Sequence, residues 1–298
     1  MSLPAPLPPH VALIGFGEVG SILARDLKAK GVAKLTAYDL KFADPDSPPS
    51  KALAEATVIP AASAAEAATG ASLVISAVTA AQAVAAAEAT APGLGQGARF
   101  LDLNSASPGA KREAGRLIEA GRGVYVEAAV MTPFPPYGIA SPMLLGGPHA
   151  EAFLPTAEVL GMKVRIASSD VGVASATKMC RSVMIKGVEA LIAESLITAR
   201  KNGVDAAVLA SLNDLLPNPD WPKLARYMIS RSLIHGKRRA EEMREAARTV
   251  EEAGLVPHMA RATVERQEWA QAQRARLPKA VVDGEDLDAL LDALISEG

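Results

Sequence analysis

The chain has 298 residues, a formal net charge of −2 and 49% hydrophobic residues. That length allows one large domain or two ordinary ones, with ample apolar material for a core. The near-neutral balance argues against a nucleic-acid partner, which would demand a basic stripe. The single cysteine, Cys180, rules out an internal disulfide framework.

No stretch approaches the roughly 20 apolar residues of a membrane span. The opening "MSLPAPLPPH" lacks the basic region and apolar run of a signal peptide, so a soluble, cytoplasmic protein without a membrane partner is expected. Aromatics are scarce and alanine is abundant, which favours tightly packed helix.

"VALI", residues 11–14, is the first apolar run. Residues 18–30 then place Val19, Ile22, Leu23 and Leu27 at helical spacing, and Gly31 ends them. "VAKLTAYD" reads as a second strand before the breaker-rich "LKFADPDSPPS". "TVIP", "ASLVISAVT", "ARFLDLN", "GVYVEAAV", "SPMLLGG" and "GMKVRIA" supply six more strands. Helical segments such as "TAAQAVAAAEAT" and "PGAKREAGRLIEAG" lie between most of them. This alternation predicts an α/β domain with a mainly parallel sheet over residues 1–167.

Residues 168–298 read as helices alone. The first of these runs over 170–202, roughly 45–50 Å. Ser169 or Asp170 is its expected cap and Asn202-Gly203 its end. It is expected to form the wall between the two domains. Cys180 on this helix reads as a small packing residue.

Gly15-Phe16-Gly17-Glu18-Val19-Gly20 has the spacing G-x-G-x-x-G. Gly15 permits a tight turn out of the strand, Gly17 lets a pyrophosphate approach the backbone, and Gly20 lets helix and strand pack closely. The phosphates would meet N–H groups at the positive end of the helix. A bare G-x-G-x-x-G is weak evidence by itself. Here a strand precedes it, a helix follows it, and Asp39 ends the second strand about 20 residues on, where its carboxylate can take the ribose hydroxyls. The six residues of the turn and Asp39 are therefore the candidate dinucleotide site. Asp39 would repel a 2′-phosphate and favours NAD. Lys41, which could pair with one, keeps NADP open.

With this turn, "DLNSASP" and "GVASATK", the chain resembles the β-hydroxyacid dehydrogenase superfamily, which includes the 3-hydroxyisobutyrate and 6-phosphogluconate dehydrogenases. "LPNPDWPKLARYMISRSLIHGKRRAEEM" is similar to a subgroup with a poorly characterised C-terminal helical domain. The resemblance implies a Rossmann domain, a long interdomain helix and a homodimer formed through the helical domain. It also implies that Lys178 is the acid/base, in a family pattern G-x-G-x-x-x-K that here reads Gly172, Ala174, Lys178. A free lysine titrates near 10.4 and must be depressed to act as a base near neutrality.

By the same resemblance Val78, Thr79 and Asn104 lie beside the cofactor, and Ser105 beside the substrate. Ser182, one helical turn after Lys178, stands where relatives carry asparagine, and Arg181 is a candidate for a substrate carboxylate. Asn104 and Ser105 also read as a plain turn before Pro108, and Arg181 as a solvated surface residue.

Two departures bear on the substrate. Relatives place Ser-Gly-Gly after the sixth strand, where this chain has Met131, Thr132 and Pro133, followed by "FPPYG" with bulky Phe134 and Tyr137. Many relatives also carry a lysine where Glu241 stands, and His235, Arg238 and Arg239 are the residues that could compensate. His235 also reads as a structural histidine. Met131, Thr132 and His235 are accordingly candidate substrate contacts, and the substrate is expected to be larger and partly aromatic or apolar. Trp221 and Tyr227 are placed at the pocket or, in preference, at the dimer contact. No metal site is expected, because His10, His149, His235 and His258 are scattered without ligand spacing. A carbonyl or imine reductase, or a non-catalytic dinucleotide-binding regulator, remains open beside the dehydrogenase.

Overall fold

The computed structural model describes residues 6–215 and 220–296. The chain divides into two compact units, Met1–Met179 and Cys180–Gly298.

The first unit is built on an eight-stranded sheet. Its strands are β1 His10–Ile14, β2 Lys34–Tyr38, β3 Ile59–Pro60, β4 Leu73–Ser76, β5 Arg99–Asp102, β6 Val124–Val130, β7 Met143–Gly146 and β8 Val164–Ser168. Their order is β3-β2-β1-β4-β5-β6-β7-β8. Every pairing is parallel except β6 with β7. The expected "TVIP" strand shrinks to Ile59–Pro60 at the sheet edge. Pro60 has no N–H to extend a ladder, so proline is tolerated there and little pairing follows.

Helices α1 Glu18–Ala29, α2 Pro48–Ala54, α3 Ala64–Ala68, α4 Ala83–Thr90, α5 Pro108–Ala120 and α6 Ala150–Val159 connect the strands. Two apolar clusters cover the sheet. One joins Leu13, Leu23, Leu27, Ile75 and Phe153, and the other gathers Ala-rich α3 and α4 around Phe100, Ile118 and Tyr125. The small alanines let short helices lie close to the strands. The sheet's order reverses between β1 and β4, and open α/β sheets bind ligands in the crevice at such a point.

Helix α7, Val173–Lys201, begins in the first unit and continues in the second. Its 29 residues make it about 44 Å long. It starts later than expected, and neither Ser169 nor Asp170 caps it. Gly172 before it has φ +107°, a conformation that interrupts a right-handed helix. The Asp170 N–H instead donates to Ser168 Oγ at 3.0 Å.

The second unit adds α8 Asp205–Leu215, α9 Trp221–Glu252, α10 His258–Arg274, α11 Lys279–Asp283 and α12 Leu287–Ser296. Among the described residues no strand follows β8. The core of this unit joins Ile192, Leu196, Ile229, Leu233, Leu290 and Leu291. Trp221 belongs to that core and is 7% exposed, so it offers little surface to a dimer contact, whereas Tyr227 is exposed. Residues 216–219 of the "LPNPDW" segment lie outside the described residues. Cys180 is exposed rather than packed. Among the described residues no helix is long and apolar enough to cross a membrane, and no group of His, Cys, Asp or Glu could hold a metal.

Candidate functional site

The glycine turn joins β1 to α1. Gly15 has φ +92°, and a Cβ on it would run into the Ala77 carbonyl. A Cβ on Gly20 would overlap the Gly15 carbonyl oxygen, so α1 can lie against β1 only without one. Gly17 is different: a Cβ there meets nothing within 4 Å. Protein packing does not demand that glycine, but an approaching ligand would. Gly17 also caps α1 without any side-chain hydrogen bond, leaving first-turn N–H groups for an anion. Glu18 opens the helix and is exposed, Val19 is half-buried, and Phe16 is buried with its ring 5.8 Å from that of Phe42.

The Phe16 N–H is already committed, donating to Asp39 Oδ2 at 2.8 Å, while the Lys41 N–H donates to Asp39 Oδ1 at 2.9 Å. The carboxylate is thereby locked at the end of β2. An ionised carboxylate offers about four acceptor positions, so two remain for ribose hydroxyls. Gly15, Gly17, Asp39, Lys41, Val78 and Thr79 line a groove of about 490 Å³. Its size, its open floor at Gly17 and its acidic end fit a nicotinamide dinucleotide at this turn.

The ends of β4 and β5 carry the next group. Asn104 is buried; its Oδ1 accepts from the Val78 N–H at 2.7 Å and its Nδ2 donates to Ser76 Oγ at 2.9 Å. Asn104 thus shapes the groove wall from behind. Its neighbour Ser105 accepts a hydrogen bond from Lys178 Nζ at 2.6 Å. Lys178 is half-buried on the first turns of α7. Seventy-three positions apart in sequence, these two residues meet in one unit.

Met131 and Thr132 follow β6. Thr132 Oγ1 is buried with no hydrogen-bond partner among the described residues, and such a hydroxyl costs about 1–3 kcal/mol unless something bonds to it. Phe134 does not add bulk to a substrate loop as expected. It is 6% exposed and belongs to the core, so Tyr137 is the exposed aromatic of that stretch.

A buried polar network beneath these residues escaped the sequence reading. Asp102 pairs with Lys111 at 2.9 Å, accepts the Tyr125 hydroxyl at 2.8 Å and holds the Asn104 N–H at 2.9 Å. Burial, reinforced by Asp102 and Glu127, pushes the Tyr125 phenol well above its ordinary value. Asp102 and Lys111 are each 1% exposed. Their spacing in sequence gives no local motif, since the partners come from β5, α5 and β6.

In the second unit Arg181 is exposed, and buried Ser182 accepts a hydrogen bond from Lys186 Nζ at 3.2 Å. His235 lies 3.3 Å from Arg231. Burial, with Arg231 and Arg238 nearby, holds its imidazole below the usual histidine range. Of the cations proposed to replace a lysine at Glu241, Arg239 pairs with Glu189 and Arg238 with Glu242. Lys186, also missed in the sequence, pairs with Glu242 at 2.6 Å, and burial lowers its ammonium from the ordinary lysine value.

Residues 10–132 match the family model described as the NAD binding domain of 6-phosphogluconate dehydrogenase, and residues 199–270 match a domain of unknown function, DUF1932. A conserved hypothetical protein from Sinorhizobium meliloti 1021 is 40% identical, with 96% of each chain covered and a TM-score of 0.75. A conserved protein of unknown function, described as structurally similar to 3-hydroxyacid dehydrogenases, is 30% identical over 89% of this chain and 99% of its own, with a TM-score of 0.67. The 3-hydroxyisobutyrate dehydrogenase of Mycobacterium tuberculosis, solved with L-serine, is 19% identical over 97% of this chain and 99% of its own; its TM-score of 0.67 marks a shared fold. An uncharacterized 28.5 kDa protein of Methanothermus fervidus is 27% identical over 164 residues, an alignment that spans 62% of that protein's length.

Proposed function

The chain belongs to the β-hydroxyacid dehydrogenase superfamily, in the subgroup that joins its NAD binding domain to DUF1932, and from that premise we propose a nicotinamide-dependent dehydrogenase acting on a β-hydroxyacid-like alcohol. The observation that carries this reading is the hydrogen bond of Lys178 to Ser105, one residue beyond the Asn104 that holds the groove wall. When bound, a nicotinamide dinucleotide supplies the hydride acceptor, or the donor in the reverse direction.

The chain's own residues supply the rest. Gly15, Gly17, Gly20 and the first turn of α1 hold the pyrophosphate, with Glu18 and Val19 as the flanking first-turn amides. Asp39 takes the ribose hydroxyls and disfavours a 2′-phosphate, so NAD is the proposed cofactor over NADP. Val78 and Thr79 line the path of the cofactor.

Lys178 Nζ takes the hydroxyl proton in oxidation and returns it in reduction. Ser105 keeps that nitrogen in place and is itself a substrate contact. The unpartnered Thr132 hydroxyl supports a substrate role for Met131 and Thr132. Ser182, Arg181 and His235 are proposed as substrate contacts on the resemblance alone. Exposed Met184 and Leu191 on α7, with Tyr227 and Ile234 on α9, support a homodimer through the helical unit.

The test is NAD(P)H absorbance with NAD and NADP, each against a panel of β-hydroxyacids that includes aryl-substituted members. Turnover with NAD is expected, and Lys178→Ala should lower kcat about 10²–10⁴-fold while leaving NAD affinity unchanged. NADPH formation in preference to NADH would overturn the reading of Asp39. Cofactor binding without turnover in either direction would favour the regulator.

A further inference from the structure

Glu127 lies in the middle of β6, fully buried, and the mechanism above gives it no task. A buried carboxylate is costly unless its oxygens are satisfied. Both are: Oε2 accepts from the Gly172 N–H and Oε1 from the Ser175 N–H, each at 2.7 Å. These two amides, one just before α7 and one three residues on, are the pair that a capping box satisfies with local side chains. Gly172 has no side chain to offer. Gly146 on β7 makes room for the substitute, since a Cβ there would overlap Glu127 Oε2. Two strands and the start of a helix therefore converge on one carboxylate.

Ser175 precedes Lys178 by three residues, less than one turn and about 4.5 Å of helix rise. We propose that Glu127 is a positioning residue, which fixes the first turn of α7 and through it the place of the Lys178 ammonium against Ser105. The inference rests on the reading of Lys178 given above. Two backbone donors face this side chain, and a carboxylate answers them with two acceptors. The nearly isosteric amide has one acceptor and turns an NH₂ toward the other N–H. The first turn must then shift or lose a bond.

The experiment compares the full chain with Glu127→Gln. Acetic anhydride labelling of Lys178, referred to exposed Lys28 in the same molecule, needs neither cofactor nor substrate. Faster labelling of Lys178 in the folded variant is expected. On any substrate the wild type turns over, kcat should fall about 100-fold with the substrate KM and the NAD dissociation constant little changed. Unchanged labelling and unchanged kcat in the folded variant, with only a lower Tm, would make Glu127 merely structural and overturn the proposal. A wild type that turns over nothing, combined with faster labelling in the variant, would sink the dehydrogenase reading but uphold the placement. If Glu127→Gln does not fold, Gly146→Ala displaces the same carboxylate and is read in the same way.

Discussion

Gly17 and Gly20 stand three residues apart and answer to different demands. A methyl group on Gly20 collides with the Gly15 carbonyl and forces α1 away from β1. A methyl group on Gly17 touches nothing in the protein. Gly17→Ala should therefore melt within about 0.5 kcal/mol of the wild type, the range of a surface substitution, yet bind NAD at least ~10-fold more weakly. Gly20→Ala should lose stability outright, although alanine is ordinarily the better helix former by about 1 kcal/mol. Thermal melts beside a fluorescence titration with NADH separate the two. Wild-type affinity in Gly17→Ala would remove the phosphate from this turn. Both glycines and Asp39 were legible because their reasons are local, a strand followed by a turn and a helix. The lock on Asp39 by the Phe16 and Lys41 amides was not legible, since it depends on where the second strand lies against the first.

Elements show the same division between local and distant causes. All eight strands were readable from apolar runs bounded by breakers, and so was the end of α7 at Asn202-Gly203. The start of α7 was misread because its cap is 45 positions away in sequence, on β6. No local pattern of Ser, Asp and Gly reveals a carboxylate arriving from another strand. The Asp102–Lys111 pair is hidden for the same reason. It joins the end of β5 to α5, and Asp102 also holds Tyr125 of β6 and the Asn104 backbone. Removing one member of a buried pair strands the other charge, at a cost of about 3–5 kcal/mol. Lys111→Met, close in volume and apolar, should lower unfolding stability by that amount, read from denaturant melts. A loss below 1 kcal/mol would mean that Asp102 is adequately held by Tyr125 and the Asn104 amide. Phe134 misled for the complementary reason: an aromatic in a proline-rich stretch looks exposed until its partners in the core are known.

At the scale of the whole molecule, each unit holds a histidine whose neutral form is preferred, buried His10 in the first and half-buried His235 in the second. His10 in the first unit is held below the ordinary value chiefly by burial, and His235 in the second by burial together with Arg231 and Arg238. At His10 the ring meets Thr36 and the Gly70 backbone. Its Nε2 lies 2.9 Å from Thr36 Oγ1, and Thr36 Oγ1 is 2.6 Å from the Ala67 carbonyl oxygen. Unfolding frees both imidazoles to titrate near the ordinary value of about 6.5. Below that pH the unfolded chain binds more protons than the folded one, so stability falls as pH falls, by at most about 1.4 kcal/mol per pH unit for each histidine. The loss begins near pH 6.5 and ends at the depressed folded values. Above pH 6.5 the contribution is complete. Exposed carboxylates held down by arginines, Glu113 and Asp292, act only in more acid solution, so the histidine step stands apart from theirs. Thermal melts between about pH 7.5 and 5 should show Tm falling, with the decline reduced in His10→Gln and further reduced when His235→Gln is added. A glutamine amide can donate or accept at Thr36 but cannot take up a proton, so it removes the linkage while keeping a hydrogen-bonding group there. A Tm that is flat across this range in the wild type, or equally steep in the double variant, would show that neither histidine is kept neutral by the fold.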